Sequence, residues 1–320
     1  MVMKFGRAYC DQLKDTLTPY RARELFISED SEYFGQELTF SCENQGCRVR
    51  LTPVGIYMTR RSKRALHFRS KDEHVMGCGF LHGSLVTGTN RKPSEIEDDY
   101  KLTDFPTELD LKPPKRKSGA VSSDDEQENN EGSLGGVGGN YLGSDKRKTS
   151  TRTRHLDHVV DCFLFGNDED KKGTFTIAGK TKPFSTFFKK VEYFNDGMGL
   201  IYYGKVDALR IYKNTGVGIR FARFHREDKN SFRIWLHIPQ ETIFESPKRK
   251  AFLNEMEELQ KAVDLKEEVI AFFVGTYPEK IPVSNKSGGS FEVYQAELLN
   301  INHLSLIFAT ADDLHSLKLK

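Results

Sequence analysis

The sequence predicts an α+β protein of two domains. A small β-rich N-terminal domain and a larger C-terminal domain built on a β-barrel are joined by a disordered linker. Three observations carry this expectation. Composition changes twice along the 320 residues, marking off 1–91, 92–150 and 151–320. Cysteine and histidine cluster in the first zone, which holds four of the five cysteines. In the last zone, extended apolar segments lie on both sides of one strong helical stripe.

The apolar fraction of 37% and mean hydropathy of −0.57 are low for one compact globule and point to a large polar segment. The 48 basic and 46 acidic residues leave a net charge of +2, so any electrostatic role must come from how charge is distributed. No run reaches the length of a membrane span, and "MVMKFGRAYCDQLKD" lacks the apolar core of a signal peptide. A cytoplasmic protein with no membrane partner is expected. Five cysteines, an odd number with three set among histidines, point to metal ligation before disulfides.

In the first zone, "FSCENQGCRVRL" supplies Cys42 and Cys47 with four residues between them, and "LHFRSKDEHVMGCGF" supplies His67, His74 and Cys78. Thiolate and imidazole together match a tetrahedral d10 ion without redox activity, so Cys42, Cys47, His74 and Cys78 are expected to bind Zn2+. His67 is the weaker alternative ligand. Four protein ligands leave no open position, which makes the zinc structural. Gly46 and Gly77 precede two of the cysteines, where knuckle turns call for residues tolerant of positive φ. Cys10 and His82 have no partner at ligand spacing.

Between Arg48 and Lys71 the chain carries Arg48, Arg50, Arg60, Arg61, Lys63, Arg64, Arg69 and Lys71 and no acid. Eight like charges on a metal-stapled hairpin predict a phosphate-binding surface, with Tyr57 and Phe68 interleaved as stacking groups. A solvated charged face is the plainer reading of the same run.

An extended segment ending in Cys…Cys, a basic hairpin, then "HF" and a further His or Cys resembles the zinc finger at the N-terminus of CoiA-like competence proteins. The resemblance covers roughly residues 20–80. The family's second half reads "HFAH"; here "HFRSKDEHVMGC" is longer, which moves the last two ligands to His74 and Cys78. The resemblance implies bacterial DNA-related work in competence, recombination or defence against foreign DNA. It also implies a nuclease-like domain after the finger. Such a site needs an Asp and a Glu-x-Lys on adjacent strands to hold Mg2+. The nearest match is Asp207 with Glu227 and Lys229, but "REDKN" reads as a turn, so no catalytic residue is assigned.

Residues 92–150 combine acidic runs, the basic "PPKRK" and the glycine-rich "GGVGG" with few large apolar residues, which predicts disorder. Beyond them, "TRHLDHVVDCFLF" sets Leu156, Val159, Val160, Phe163 and Leu164 at helical spacing. His155, His158 and Cys162 share a face of that helix, where packing is expected over metal binding. "LIYYGKVDALRIYKN", "GVGIRFARFH" and "SFRIWLHIP" read as three strands, broken by turn chemistry in "KNTG" and "REDKN". "SPKRKAFLNEMEELQKAVDL" is a helix with a Ser246 cap and a stripe of Phe252, Met256, Leu259 and Val263. "EEVIAFFVGTY" and "FEVYQAELLNINHLSLIF" are two further strands, joined by "PEKIPVSNKSGGS", read as a polar loop. Three strands, a helix and two strands over about 198–309 resemble the OB-fold barrel.

On the second and third of these strands, alternation buries Val217, Ile219, Phe221, Ile234, Leu236 and Ile238. It leaves Arg220, Phe224, Arg233, Trp235 and His237 on the other face. Two arginines and two aromatics on one sheet face suit base stacking. The opposite expectation is that residues 151–197 cover that face and make Trp235, the one tryptophan, a core residue. Together these features predict a zinc-finger protein holding single-stranded or junction DNA, or RNA, without cutting it. A metal-dependent nuclease, or an interaction subunit of a defence complex with partner proteins, is the alternative.

Overall fold

A computed structural model describes residues 3–61, 65–76, 78, 105–112, 152–166, 168–195, 199–212, 215–284 and 289–309. These residues are mixed helix and sheet, mostly β, with four α-helices and three sheets among them. No helix among these residues is long and apolar enough to cross a membrane.

The N-terminal part forms a six-stranded sheet. Its strands are β1 (Met3–Phe5), β2 (Ala8–Cys10), β3 (Asp15–Leu17), β4 (Phe40–Ser41), β5 (Arg50–Val54) and β6 (His67–Ser70). They are hydrogen-bonded in the order β1-β6-β5-β4-β2-β3. Helix α1 (Pro19–Ile27) starts on Thr18, whose hydroxyl accepts from the Arg21 N–H at 3.2 Å, with Pro19 in the first turn, where its missing N–H is harmless. Phe5, Phe40, Leu51 and Phe68 fill the core of this part.

A second sheet has the order β10-β9-β7-β8. It contains β7 (Glu108–Leu109), β8 (Arg152–Thr153), β9 (Thr174–Ile177) and β10 (Lys180–Pro183). Its β7 lies inside the segment that composition predicts as linker, and Leu109 there is buried. Buried Leu109, with Phe105 and Leu111 packed beside it and a parallel partner on each side of β7, orders a stretch too short to register in composition. Residues 92–104 and 113–150 of that segment, "PPKRK" included, lie outside the described residues.

The third and largest sheet begins with β11 (Phe188–Lys190), β12 (Ile201–Tyr212), β13 (Gly216–Glu227) and β14 (Asn230–Pro239). It continues with β15 (Glu268–Phe273), β16 (Glu279–Ser284), β17 (Ser290–Glu297) and β18 (Leu304–Ala309). The order is β16-β17-β14-β13-β12-β15-β18, with β11 pairing with β12. The β12–β13–β14 meander is antiparallel and β17 joins β14 in parallel. Gly216 opens β13 at φ +115°, and a Cβ there would meet the Ile238 carbonyl oxygen at 2.0 Å, so no other residue fits. The expected loop "PEKIPVSNKSGGS" contains the edge strand β16, and the last expected strand breaks into β17 and β18 at a short 3-10 turn, Ile301–His303. Four strands therefore follow the helices where two were expected.

Those helices are α3 (Gln240–Glu245) and α4 (Arg249–Asp264). The second begins later than expected, because Ser246 closes α3 and its hydroxyl accepts from Lys248 N–H at 3.2 Å. Phe252, Met256, Leu259 and Ala262 of α4 pack on Val206, Ile219, Phe221, Ile234 and Leu236, while Val263 is only partly buried. Strand β15 is buried on both sides. Val269, Ala271 and Phe273 face this core, whereas Ile270 and Phe272 face a second one. Helix α2 (Leu156–Phe165), predicted at that position, lies over the second core with Phe175, Phe184 and Phe187.

The loop from β5 to β6 seats the N-terminal part on the body. Arg61 pairs with Asp157 and, at 2.5 Å, with Asp161, and donates to Ser305 Oγ at 2.7 Å. Tyr20 OH and Leu66 N–H donate to the other Asp161 oxygen at 2.8 and 3.2 Å. Lys250 N–H donates to the Glu29 carboxylate at 2.8 Å, and Lys248 Nζ lies 3.6 Å from Glu24.

Candidate metal centre and an exposed aromatic sheet face

Strands β4 and β5 form a hairpin whose turn carries Cys42 and Cys47, and β6 leads directly to His74 and Cys78. Within the turn, Cys47 N–H and Arg48 N–H both donate to the Asn44 carbonyl, and Gly46 N–H donates to the Asn44 side chain at 2.9 Å. The left-handed residue is Arg48, at φ 46°, instead of Gly46. Gly77 and His82 lie outside the described residues.

The candidate ligand atoms of Cys42, Cys47, His74 and Cys78 all lie within 4.8 Å of one another. Cys42 Sγ to Cys78 Sγ is 3.8 Å, and His74 Nδ1 lies 3.4 Å from Cys47 Sγ and 3.5 Å from Cys78 Sγ. A tetrahedral ion at about 2.3 Å from sulfur and about 2.05 Å from nitrogen requires S···S edges of roughly 3.8 Å and S···N edges of roughly 3.55 Å. The cluster has the dimensions of a metal site. Burial pushes the Cys42 thiol up to about 12. Burial also raises Cys47, but hydrogen bonds from the Val49 and Val75 backbone and from the Cys78 and Cys42 side chains together outweigh it and draw that thiol below its usual range. Desolvation lowers His74, which keeps its imidazole neutral and able to ligate. His67 is outside the cluster: it is buried on β6, with Nδ1 2.8 Å from the Ala65 carbonyl. Cys10 and Cys162 are buried free thiols, and His158 is buried with its ring 4.5 Å from that of Tyr20.

The basic run does not form one surface. Arg61 is 3% exposed and held by Asp157 and Asp161, so it faces no solvent in which to meet a phosphate. Arg60 is paired with Glu267 and lies over the Phe308 ring at 4.9 Å. Arg48 stacks on Tyr9 at 3.4 Å and donates to the Cys42 carbonyl. Phe68 is 0% exposed, a core residue, and Tyr57 OH is bonded to the Leu38 backbone. Arg50 and Lys71 are exposed and Arg69 is half-buried, while Lys63 and Arg64 lie outside the described residues.

The second candidate surface is the outer face of β12, β13 and β14. Cross-strand partners share a face, and the pairs are Gly218 with His237, Arg220 with Trp235, and Phe224 with Arg233. An irregularity between Arg220 and Phe224 keeps both side chains on this side. The Trp235 ring is half-buried and belongs to no core cluster; it lies beneath Arg210 at 4.9 Å and Arg220 at 5.7 Å. Arg233 covers Phe224 at 4.0 Å. Arg210 and Tyr212 join the face from β12, opposite Gly218 and Gly216, and alternation onward from Ala208 would have found both. A Cβ at Gly218 would stand 3.4 Å from the indole and 3.1 Å from Tyr212, so glycine leaves both rings accessible. Helix α2 packs elsewhere and does not bury Trp235.

Acids also enter this surface. Asp207 accepts from Arg220 at 2.7 Å and lies 3.6 Å from Arg233. Glu297 is paired in register with His237. The nuclease candidates do not converge: Asp207 serves these arginines, whereas Glu227 binds Lys280 and the Tyr294 hydroxyl at 2.9 and 3.1 Å. Among the described residues, the Cys3His group is the one cluster of three or more candidate ligands. The chain matches no protein-family model, and no curated protein resembles it in sequence.

Proposed function

We propose that this protein binds single-stranded nucleic acid on the outer face of β12–β14, with zinc stapling its N-terminal domain. The observation that carries the reading is the Trp235 face. Three arginines (Arg210, Arg220 and Arg233) interleave with Trp235, Phe224 and Tyr212 on one sheet surface that no described residue covers. Rings supply sequence-tolerant stacking, and arginines supply phosphate attraction and stack themselves. Strand order supports an OB-like barrel in a two-domain chain: β14 takes β17 in parallel and β12 takes β15 antiparallel. Zinc is favoured because Cys3His is a soft, closed, tetrahedral donor set, which also makes the ion structural. With the finger's likeness to CoiA-like proteins, we place the activity on single-stranded or junction DNA in bacterial recombination or defence, inside the cytoplasm and with partner proteins. Binding is preferred over cleavage because Asp207 and Glu227 are engaged on separate networks.

Tryptophan emission tests this directly, since Trp235 is the one fluorophore of its kind. Titration with oligo-dT, without Mg2+, is expected to quench it. Trp235→Ala should weaken binding by about 1–3 kcal/mol. Unquenched emission with unchanged affinity in Trp235→Ala would remove this face from the function.

A further inference from the structure

The sheet face that carries Trp235 changes character from one edge to the other. Register sorts its side chains into rows that cross the strands. One row holds Arg220, Trp235, Gln295 and Glu279, and the next holds Arg210, Gly218, His237 and Glu297. The cations Arg210 and Arg220 stand on β12 and β13, with their guanidinium carbons 4.9 and 5.7 Å from the indole centroid. Beyond Trp235, on β17 and β16, the rows end in a carboxamide and two carboxylates. Lys280 is the one cation on those two strands, and it faces the other way. It is paired in register with the core residue Tyr294, binds Glu227 and lies over the Phe232 ring.

A base stacked on the indole therefore has positive charge for its phosphates on the β12–β13 side and hydrogen-bonding groups for its edge on the β17 side. Gln295 is the register partner of Trp235, and Glu297 is that of His237. Adjacent strands lie about 4.8 Å apart, so both side chains border the ring. Being two residues apart on one strand, they also share a face. Glu297 is exposed and Gln295 half-buried. Among the described residues neither side chain has a hydrogen bond or an ion pair. A carboxylate only accepts hydrogen bonds, whereas a carboxamide both donates and accepts. Guanine offers two adjacent donors, N1–H and the 2-amino group, next to one acceptor, O6. Thymine and uracil offer one donor between two carbonyls, which sets a carbonyl against the carboxylate. Adenine and cytosine each offer an amino group beside an acceptor nitrogen.

We propose that Gln295 and Glu297 make the Trp235 surface selective for guanine in a single strand. The Glu297 carboxylate accepts from N1–H and the 2-amino group, and the Gln295 carboxamide donates to O6. Both residues are specificity-determining, because they meet the base edge while the indole meets its face. The selectivity rests on the stacking reading of this sheet face, to which it adds a base preference that rings alone do not supply.

Anisotropy titrations of the full chain with dye-labelled oligo-dT, and with the same strand carrying one central dG, dA, dC or deoxyinosine, test it. The dG strand is expected to bind about five-fold or more tighter than oligo-dT, the scale of one bidentate base contact, and ahead of the dA and dC strands. Deoxyinosine lacks the 2-amino group and should fall between dG and dT. Glu297→Gln should bring the affinities for the dG strand and for oligo-dT to within about two-fold of each other. If that variant melts early, Gln295→Ala is held to the same loss of preference. Equal affinity for all the strands, a preference for dA or dC over dG, or a dG preference untouched by both variants overturns the proposal and leaves the stacking reading standing. Failure of every strand to bind overturns the stacking reading and the selectivity together.

Discussion

Replacing Arg61 by methionine removes the centre of the seam between the N-terminal part and the body while keeping most of the side-chain volume. In the parent, the guanidinium is 2% exposed and pairs with Asp157 and Asp161, and Asp161 is itself 0% exposed. After the substitution Asp161 retains only two donors, the Tyr20 hydroxyl at 2.8 Å and the Leu66 N–H at 3.2 Å. Removing one partner of a buried pair leaves an uncompensated charge and costs about 3–5 kcal/mol. Burial already holds the Asp161 carboxyl above its ordinary range even with Arg61 opposite. Without Arg61 it rises further, and the folded state takes up a proton in preference to carrying a buried anion. A carboxyl raised in the folded state loses stability as pH climbs through and above its unfolded value, so the deficit should be larger at pH 8 than at pH 5. The difference is bounded by about 1.36 kcal/mol per unit of pKa change. Urea unfolding followed by circular dichroism at both pH values measures it. Adding Asp161→Asn to Arg61→Met should recover part of the loss, because no charge remains to be stranded. A deficit below about 1 kcal/mol, equal at pH 5 and pH 8, would refute the reasoning. It would mean that Arg61 is solvated and not held by Asp157 and Asp161.

Three further outcomes are expected. Cys47→Ser should abolish binding of about one zinc per chain by elemental analysis and unfold the N-terminal part, while the body keeps its melt; a full complement of zinc in the variant would contradict the assigned ligands. Burial and the nearby His155 lower His158 to about 3. Its neutral form is therefore favoured in the folded state, and this contribution is complete above pH 6.5 and is lost as pH falls toward 3. His158→Phe should flatten that part of the stability–pH curve, and an unchanged curve counts against it. Trp235→Ala should shift the melting temperature little, because the ring packs under arginines outside any core cluster; a loss of about 3–5 kcal/mol would mark it as core.

What the sequence made legible was local. The Cys42, Cys47, His74 and Cys78 cluster, which could hold a metal ion, was readable because two short spacings, within a turn and within one loop, nearly determine which atoms can meet. The Trp235 face was readable because alternation along β13 and β14 survives the irregularity between them. Arg61 was not readable, since the residues that bury it, Asp157 and Asp161, lie 96 and 100 positions further on. A basic run looks the same whether each charge meets water or a distant carboxylate. Strand β16 was missed for a different reason. As an edge strand it keeps exposed Glu279 and Lys280 and even tolerates Pro282, so its apolar alternation shrinks to two half-buried residues, Ile281 and Val283. Whether α2 covers Trp235 depended on where that helix packs, and it packs on the second core. What decided it was the alternation of β15, which places Ile270 and Phe272 outward and therefore needs a cover, while β13 and β14 present arginines and need none. The cover went to the face with apolar residues to bury, and no described residue covers the face that presents the arginines.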